Sequence, residues 1–306
     1  MRAARIAAPG DARVQTVDTP EPGAGEVVVR LEGCGVCGSS LPVWEGRPWF
    51  DYPLAAGEPG HEGWGVVEAL GDGVAGPEPG TRVAVLSGRA FAERDVADAE
   101  AVVPLPPELH GQPFPGEAIG CAVNAFRRSR IDAGQRVAVV GAGFLGILLV
   151  QLAVRAGADV TALSRRASAL ELARDAGAAH TFALDEAPED EFDCVIEAAG
   201  VQATLDLATR LTRVRGLLVL AGYHQDGPRQ VDVQLWNWRG LDVVNAHERD
   251  PAVYVRGIRE GARLVADGAL DPAPLYTHRF PLERVGDAFE TLRTRPDGFL
   301  KALVTA

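Results

Sequence analysis

Cysteine, histidine and glutamate gather where metal chemistry would need them. Cys34 and Cys37 form a C-x-x-C within GCGVCGSSLPVWEG, and His61 and Glu62 follow 24 and 25 residues after Cys37. A C-x-x-C can be a redox dithiol, half of a structural zinc knuckle, or one metal ligand beside a bystander. A knuckle needs a second cysteine pair, yet Cys121 and Cys194 stand alone. A thioredoxin-like dithiol opens a helix in a compact α/β domain. This pair instead follows a β-type run and leads into a Pro/Trp-rich loop, so neither alternative fits well. Cysteine, histidine and carboxylate together can hold zinc, and three protein ligands with one open position mark a catalytic centre.

A second constellation is glycine-rich. Gly141, Gly143 and Gly146 make G-x-G-x-x-G in VAVVGAGFLGILLV, with Phe144 and Leu145 between the last two. The loop follows an apolar strand pattern and opens a helical one. Such glycines allow a tight turn and close backbone approach to a pyrophosphate, which then sits on the helix N-terminus. At the end of the next strand, ~20 residues on, NAD-binding chains usually carry an acid for the ribose hydroxyls. Here stand Ser164, Arg165 and Arg166. An acid repels a 2′-phosphate, whereas a hydroxyl and two guanidiniums bind one, so NADP(H) is expected over NAD(H).

The elements that must position these groups fall into two textures. Residues 1 to about 110 carry short β-type runs (EVVVRLEG, GWGVVEAL, RVAVL, AVVPLP) separated by Gly/Pro turn signals, a β-rich barrel-like pattern. From about residue 117, EAIGCAVNAFRRSRI has helical periodicity, and β and α patterns then alternate through LDVVNA. Repeated βαβ units mean a parallel, doubly wound sheet. The tail reads as helix VYVRGIREGARLVADG, extended HRFPLE, helix VGDAFETLRT and strand KALVTA. The fold class is α/β.

Bulk composition narrows the function. The 306 residues carry a net charge of -12, and Lys301 is the sole lysine. Such a surface repels phosphate backbones and anionic lipid, so neither nucleic acid nor a membrane is an expected partner. No apolar run approaches the ~18 residues of a membrane span. The apolar stretch of MRAARIAAPG, cut by Pro9 and Gly10, is too short for a signal peptide. Four cysteines in a chain of this size do not make a disulfide framework, so a reducing cytoplasm is expected.

Together GVCGSS, GHEGWGVVEALGDGV, VAVVGAGFLG and HRFPLERVGDAFETLRT resemble the zinc-dependent medium-chain dehydrogenase/reductase superfamily of alcohol, sorbitol and threonine dehydrogenases. The resemblance implies a GroES-like catalytic domain from residues 1–121 and 249–306 around a Rossmann cofactor domain of residues 122–248. It implies Cys37 and His61 as zinc ligands, with Cys34 at a non-ligand position. Glu117, at the start of the linking helix, is the implied third ligand, with Glu62 as the alternative. It places Ala199 and Gly200 near the cofactor ribose and Lys301 near the pyrophosphate. The lobe that binds a structural zinc in many members would fall in LSGRAFAERDVADAEAVV, which has no cysteine, so one catalytic zinc per chain is expected.

The implied reaction is reversible hydride transfer between a secondary alcohol (polyol, cyclitol or sugar-like) and its ketone. Zinc acts as Lewis acid, Ser39 passes the proton, and the nicotinamide carries the hydride. Two departures matter. Ser40 replaces an Asp that commonly orients the ligand histidine, and Pro42 replaces a relay histidine. Trp44, Arg47 and Trp49, with Phe50 and Tyr52, occupy the loop that lines the substrate cleft in this family. Trp236 and Trp238 read as packing or subunit contacts. A homodimer or homotetramer is expected through the last cofactor-domain strand, near LDVVNA. A zinc-free quinone or enone reductase and a non-catalytic NADP-binding protein are the competing readings.

Overall fold

The computed structural model describes residues 1–306 except Asp190 and Asp226. Chain order gives β1 (Arg2–Ala8), β2 (Asp11–Thr16), β3 (Glu26–Val36), α1 (Leu41–Trp44), β4 (Glu62–Leu70), β5 (Arg82–Val85), β6 (Arg94–Asp98), β7 (Val102–Pro104) and α2 (Gly116–Ser129). There follow β8 (Arg136–Val140), α3 (Phe144–Arg155), β9 (Asp159–Ser164), α4 (Ala167–Asp175), β10 (His180–Ala183), β11 (Phe192–Glu197), α5 (Gln202–Leu211), β12 (Thr212–Leu220), α6 (Val233–Arg239) and β13 (Asp242–Asn245). The last elements are α7 (Pro251–Ala266), β14 (His278–Pro281), α8 (Val285–Thr294) and β15 (Ala302–Thr305). They divide into two units: residues 1–120, 250–268 and 272–306, and residues 121–249 and 269–271. Among the described residues no helix is long and apolar enough to cross a membrane.

The first unit is built on a mixed sheet in the order β14-β15-β3-β4-β5-β7, with β6 also paired to β3. Its centre is β3, whose Val27, Val29 and Leu31 alternate into the core, as a strand with one buried face requires. Helix α8 buries Val285, Ala288, Phe289 and Leu292, an i, i+3, i+4, i+7 stripe that seats it on the sheet. The Phe289 ring stacks on Trp44 at 5.2 Å and meets Phe91 edge-on at 5.5 Å. Register then brings distant sequence together. Gly35 of β3 lies opposite Glu62 of β4 on one side and Leu303 of β15 on the other.

The second unit is an all-parallel sheet in the order β10-β9-β8-β11-β12-β13. The chain leaves β8 for β9 on one side and later returns to β11 on the other. The carboxyl ends of β8 and β11 therefore flank a topological switch point, where doubly wound sheets take their ligands. Gly141 follows β8 at φ +112°, a conformation L side chains rarely adopt. A Cβ there would also come within 3.0 Å of Ala199. Two short elements carry too little periodicity to be read from sequence. The four residues of β10 are half-buried or exposed and contain no apolar run, and α6 is two turns started by Asp232, whose carboxylate accepts from Leu235 N at 2.9 Å.

Candidate active site

The metal-type residues occupy the mouths of two strands in the first unit. Cys37 is the first residue past β3, and His61 is the last before β4. Pairing of β3 with β4 thus brings the two ends together. The Sγ of Cys37, a ring nitrogen of His61 and a carboxylate oxygen of Glu62 all lie within 4.8 Å of one another. This is the one such group among the described residues. Ser39, in the turn after Cys37, donates its hydroxyl to Cys37 Sγ at 3.2 Å and lies 3.5 Å from His61 Nε2. Glu117, half-buried in the first turn of α2, is not part of the 4.8 Å group, but its charge acts on His61.

Orientation of His61 does not need the missing Asp. Its Nδ1 lies 2.9 Å from the carbonyl oxygen of Pro59, which can only accept, so Nδ1 carries the proton and Nε2 faces Cys37 and Ser39. Burial pushes the imidazole pKa down. The hydrogen bond to Cys37 and the charges of Cys37, Glu117 and Glu62 outweigh it and raise the value to about 10. The site therefore favours a cation between its thiolate and carboxylates. Sulfur, nitrogen and oxygen donors gathered at this spacing suit a divalent ion such as zinc.

Cys34 differs from Cys37 in every respect that matters to a ligand. It is fully buried in the core on β3, and burial, followed by the charge of Glu62, pushes its thiol pKa well up. Its side chain lies 3.3 Å from the carbonyl of Gly35. Ser40 is buried, and Pro42 is buried in the first turn of α1, where an imidazole would have to displace packing.

Lys301, expected beside a pyrophosphate, pairs with Glu62 within the first unit. It is 5% exposed and donates to Glu62 Oε1 at 2.6 Å, with Oε2 at 2.5 Å from the same nitrogen. Oε2 is held by this ion pair and makes no other hydrogen bond among the described residues. The room for this pair comes from Gly35, where a Cβ would fall 1.8 Å from Glu62 Oε2 and 3.0 Å from Lys301 Cε. The pairing escapes sequence reading because it joins residues 239 positions apart.

The residues of the expected substrate loop lie in different surroundings. A cavity of about 300 Å³ beside His61 is lined by Val43, Phe50, Leu54, Glu58 and Pro59, and by none of Trp44, Arg47 and Trp49. Trp44 belongs to the core through its stack on Phe289. Arg47 pairs with Glu45 at 3.3 Å, and Trp49 is 58% exposed against Phe50. Leu54 carried no sequence signal beyond hydrophobicity. Trp236 donates its indole N–H to Thr209 at 3.3 Å, and Trp238 is exposed.

In the second unit Gly143 caps α3, and Phe144, Leu145 and Gly146 form its first turn, directly after β8. Ser164 is the buried last residue of β9, its Oγ accepting from Arg166 N at 3.3 Å. Arg165 is exposed and Arg166 starts α4. The amides of Ala199 and Gly200 donate to the carboxylate of Glu197, at 2.9 and 2.8 Å.

A parallel dinucleotide-type sheet in one unit and a Cys–His–Glu site on a β-rich unit define a metal-dependent dehydrogenase architecture. The comparisons agree. Residues 23–107 match the alcohol dehydrogenase GroES-like domain, and residues 145–260 match the zinc-binding dehydrogenase domain. Sorbitol dehydrogenase of Gallus gallus is 30% identical, covering 93% of this chain and 91% of its own. A Sinorhizobium meliloti 1021 protein solved with NADP bound is 27% identical with a TM-score of 0.86, over 100% of this chain and 99% of that one. A thermostable alcohol dehydrogenase of Pyrobaculum aerophilum, solved with cobalt and zinc, is 28% identical at the same TM-score and coverage. The chain belongs to the zinc-dependent medium-chain dehydrogenase/reductase superfamily and is an oxidoreductase of the alcohol dehydrogenase kind.

Proposed function

We propose that the protein is a zinc-dependent, NADP(H)-linked oxidoreductase that interconverts a secondary alcohol of the polyol or sugar-alcohol type and its ketone. The carrying observation is the convergence of Cys37, His61 and Glu62 within 4.8 Å, with His61 Nδ1 held by Pro59. Cys37 Sγ, His61 Nε2 and a carboxylate oxygen of Glu62 would hold the metal, with Glu117 the alternative carboxylate. Bound zinc supplies Lewis-acid polarisation of an alcohol or carbonyl oxygen, and the nicotinamide supplies the hydride couple. Ser39 Oγ, within reach of Cys37 and His61, passes the substrate proton. Lys301 offsets one carboxylate and keeps Glu62 in place. Val43, Phe50 and Leu54 present apolar surface beside His61.

Sorbitol dehydrogenase relatives support the polyol class. Ser164, Arg165 and Arg166 support NADP(H), as does the NADP-bound neighbour. That the four cysteines form no disulfide among the described residues supports a cytoplasmic setting. The edge position of β13 supports assembly into a dimer or tetramer. The test is turnover of a panel of polyols, simple secondary alcohols and their ketones with each cofactor, before and after chelation. Polyol turnover that chelation abolishes and zinc restores is expected. Turnover unaffected by complete metal removal would sink the reading.

A further inference from the structure

One buried carboxylate has no part in the reading above. Glu197, the last residue of β11, is completely buried in the second unit. Burying a carboxylate is costly unless it is hydrogen-bonded, and here four donors reach it. Oε1 accepts from Ala199 N at 2.9 Å, Gly200 N at 2.8 Å and Thr204 Oγ1 at 2.7 Å. Oε2 lies 3.0 Å from His224 Nε2. The other ring nitrogen, Nδ1, accepts from Arg229 Nε at 3.1 Å. An arginine cannot accept, so Nε2 carries the ring proton and donates it to Glu197. Arg229 Nη2 then donates to Gly200 O at 3.2 Å, closing a ring of bonds on the turn where it began.

These bonds tie two loops to each other. Gly200, at φ +75°, sits in the turn after β11, while His224 and Arg229 lie after β12. The backbone is in equally close contact. Ala221 N and Gly222 N both donate to Glu197 O at 2.8 Å, and a Cβ on Gly222 would fall 2.3 Å from Gly200 N. The glycine loop joins in through Gly141 against Ala199. In a doubly wound sheet the pyrophosphate lies at that glycine loop and the adenosine ribose at the end of the next strand, here Ser164 of β9. The other half of a dinucleotide must then extend across the switch point, over the ends of β11 and β12.

We propose that Glu197, His224 and Arg229 are positioning residues that fix the two loops bordering the nicotinamide half of the cofactor. The inference rests on the dinucleotide-binding reading. A hydrogen-bonded network built on a buried charge is a weak source of stability but holds geometry firmly. Loosening it leaves the loops to be ordered by the ligand, at a cost in affinity.

The test measures binding of NADPH and NADH, and of the adenosine fragments 2′,5′-ADP and ADP, to the full chain and to variants. His224→Leu and Arg229→Leu are expected to weaken the whole cofactor about tenfold, the scale of one charge-assisted hydrogen bond. Fragment binding is expected to stay within about twofold, since the adenosine half lies across the switch point. His224→Gln should recover most of the loss, because its amide donates to Glu197 and accepts from Arg229 as the neutral imidazole does. Arg229→Leu, on a partly exposed segment, keeps the test open should His224→Leu not fold. Equal weakening of cofactor and fragment, or no weakening of either, overturns the inference and leaves the network a stabilising one. Failure of the parent chain to bind any dinucleotide overturns the cofactor reading first, and this inference with it.

Discussion

The ammonium of Lys301 is 2.6 Å from Oε1 of Glu62, with both side chains withdrawn from solvent. The pair exists because β4 and β15 flank β3 at Gly35. Removing one partner of a buried pair leaves an uncompensated charge. Lys301→Met is therefore expected to destabilise the first unit by about 3–5 kcal/mol. Adding Glu62→Gln should return a good part of that loss, because the amide needs no counter-charge. Urea denaturation of the two single variants and the double variant, all metal-free, reads the coupling. Simple additivity of the two changes would mean that the pair is not coupled.

Cys37→Ala and Cys34→Ala should separate cleanly. Cys37 shares the 4.8 Å group with His61 and Glu62, whereas Cys34 points into the core. Cys37→Ala should lose zinc by elemental analysis and lose activity, with the thermal unfolding of the metal-free protein little changed. Cys34→Ala should retain about one zinc per chain and lose some stability through the small cavity it leaves. A metal-free Cys34→Ala protein would make both cysteines ligands.

The two sheets were legible in the sequence because their signals are local and periodic. Alternating βα patterns end in a six-stranded parallel sheet, and VGDAFETLRT is α8 residue for residue. Cys37 and His61 could be paired before the structure only through the resemblance to zinc-dependent dehydrogenases, and the ends of β3 and β4 bring them together. Lys301 and Glu197 could not be read so. The partners of Lys301 depend on sheet register, and those of Glu197 on two loops whose backbones touch. Trp44 was ambiguous because a large aromatic in a loop can line a cleft or fill a core, and only the presence of Phe289 beneath it decides.

That distinction makes Trp44 and Phe50 a useful contrast. Trp44→Ala removes a buried ring stacked on Phe289 and should cost about 3–5 kcal/mol of stability. Phe50 is partly buried on the wall of the cavity beside His61. Phe50→Ala should raise KM for alcohol several-fold with a smaller stability loss. The pair of measurements is a denaturation curve and a steady-state KM for each variant. An unchanged KM in Phe50→Ala would place the substrate elsewhere.

The cofactor preference should reverse with two substitutions. Ser164 ends β9, where the adenosine ribose lies in this fold, and offers a hydroxyl rather than a carboxylate. Arg165 follows it, exposed and able to meet a 2′-phosphate, and Arg166 is held nearby through its backbone bond to Ser164 Oγ. A charge-assisted hydrogen bond to phosphate contributes about 1.5–3 kcal/mol. One such bond corresponds to a roughly tenfold to hundredfold preference for NADP(H). Ser164→Asp supplies an acceptor for the ribose hydroxyls and repels the phosphate, and Arg165→Leu removes a cation, so the double variant should favour NAD(H). The glycine loop is untouched, so total turnover with the preferred cofactor should persist. Comparison of kcat/KM for both cofactors in parent and double variant checks this. Equal values in the parent would mean that Arg165 and Arg166 face solvent without touching the cofactor.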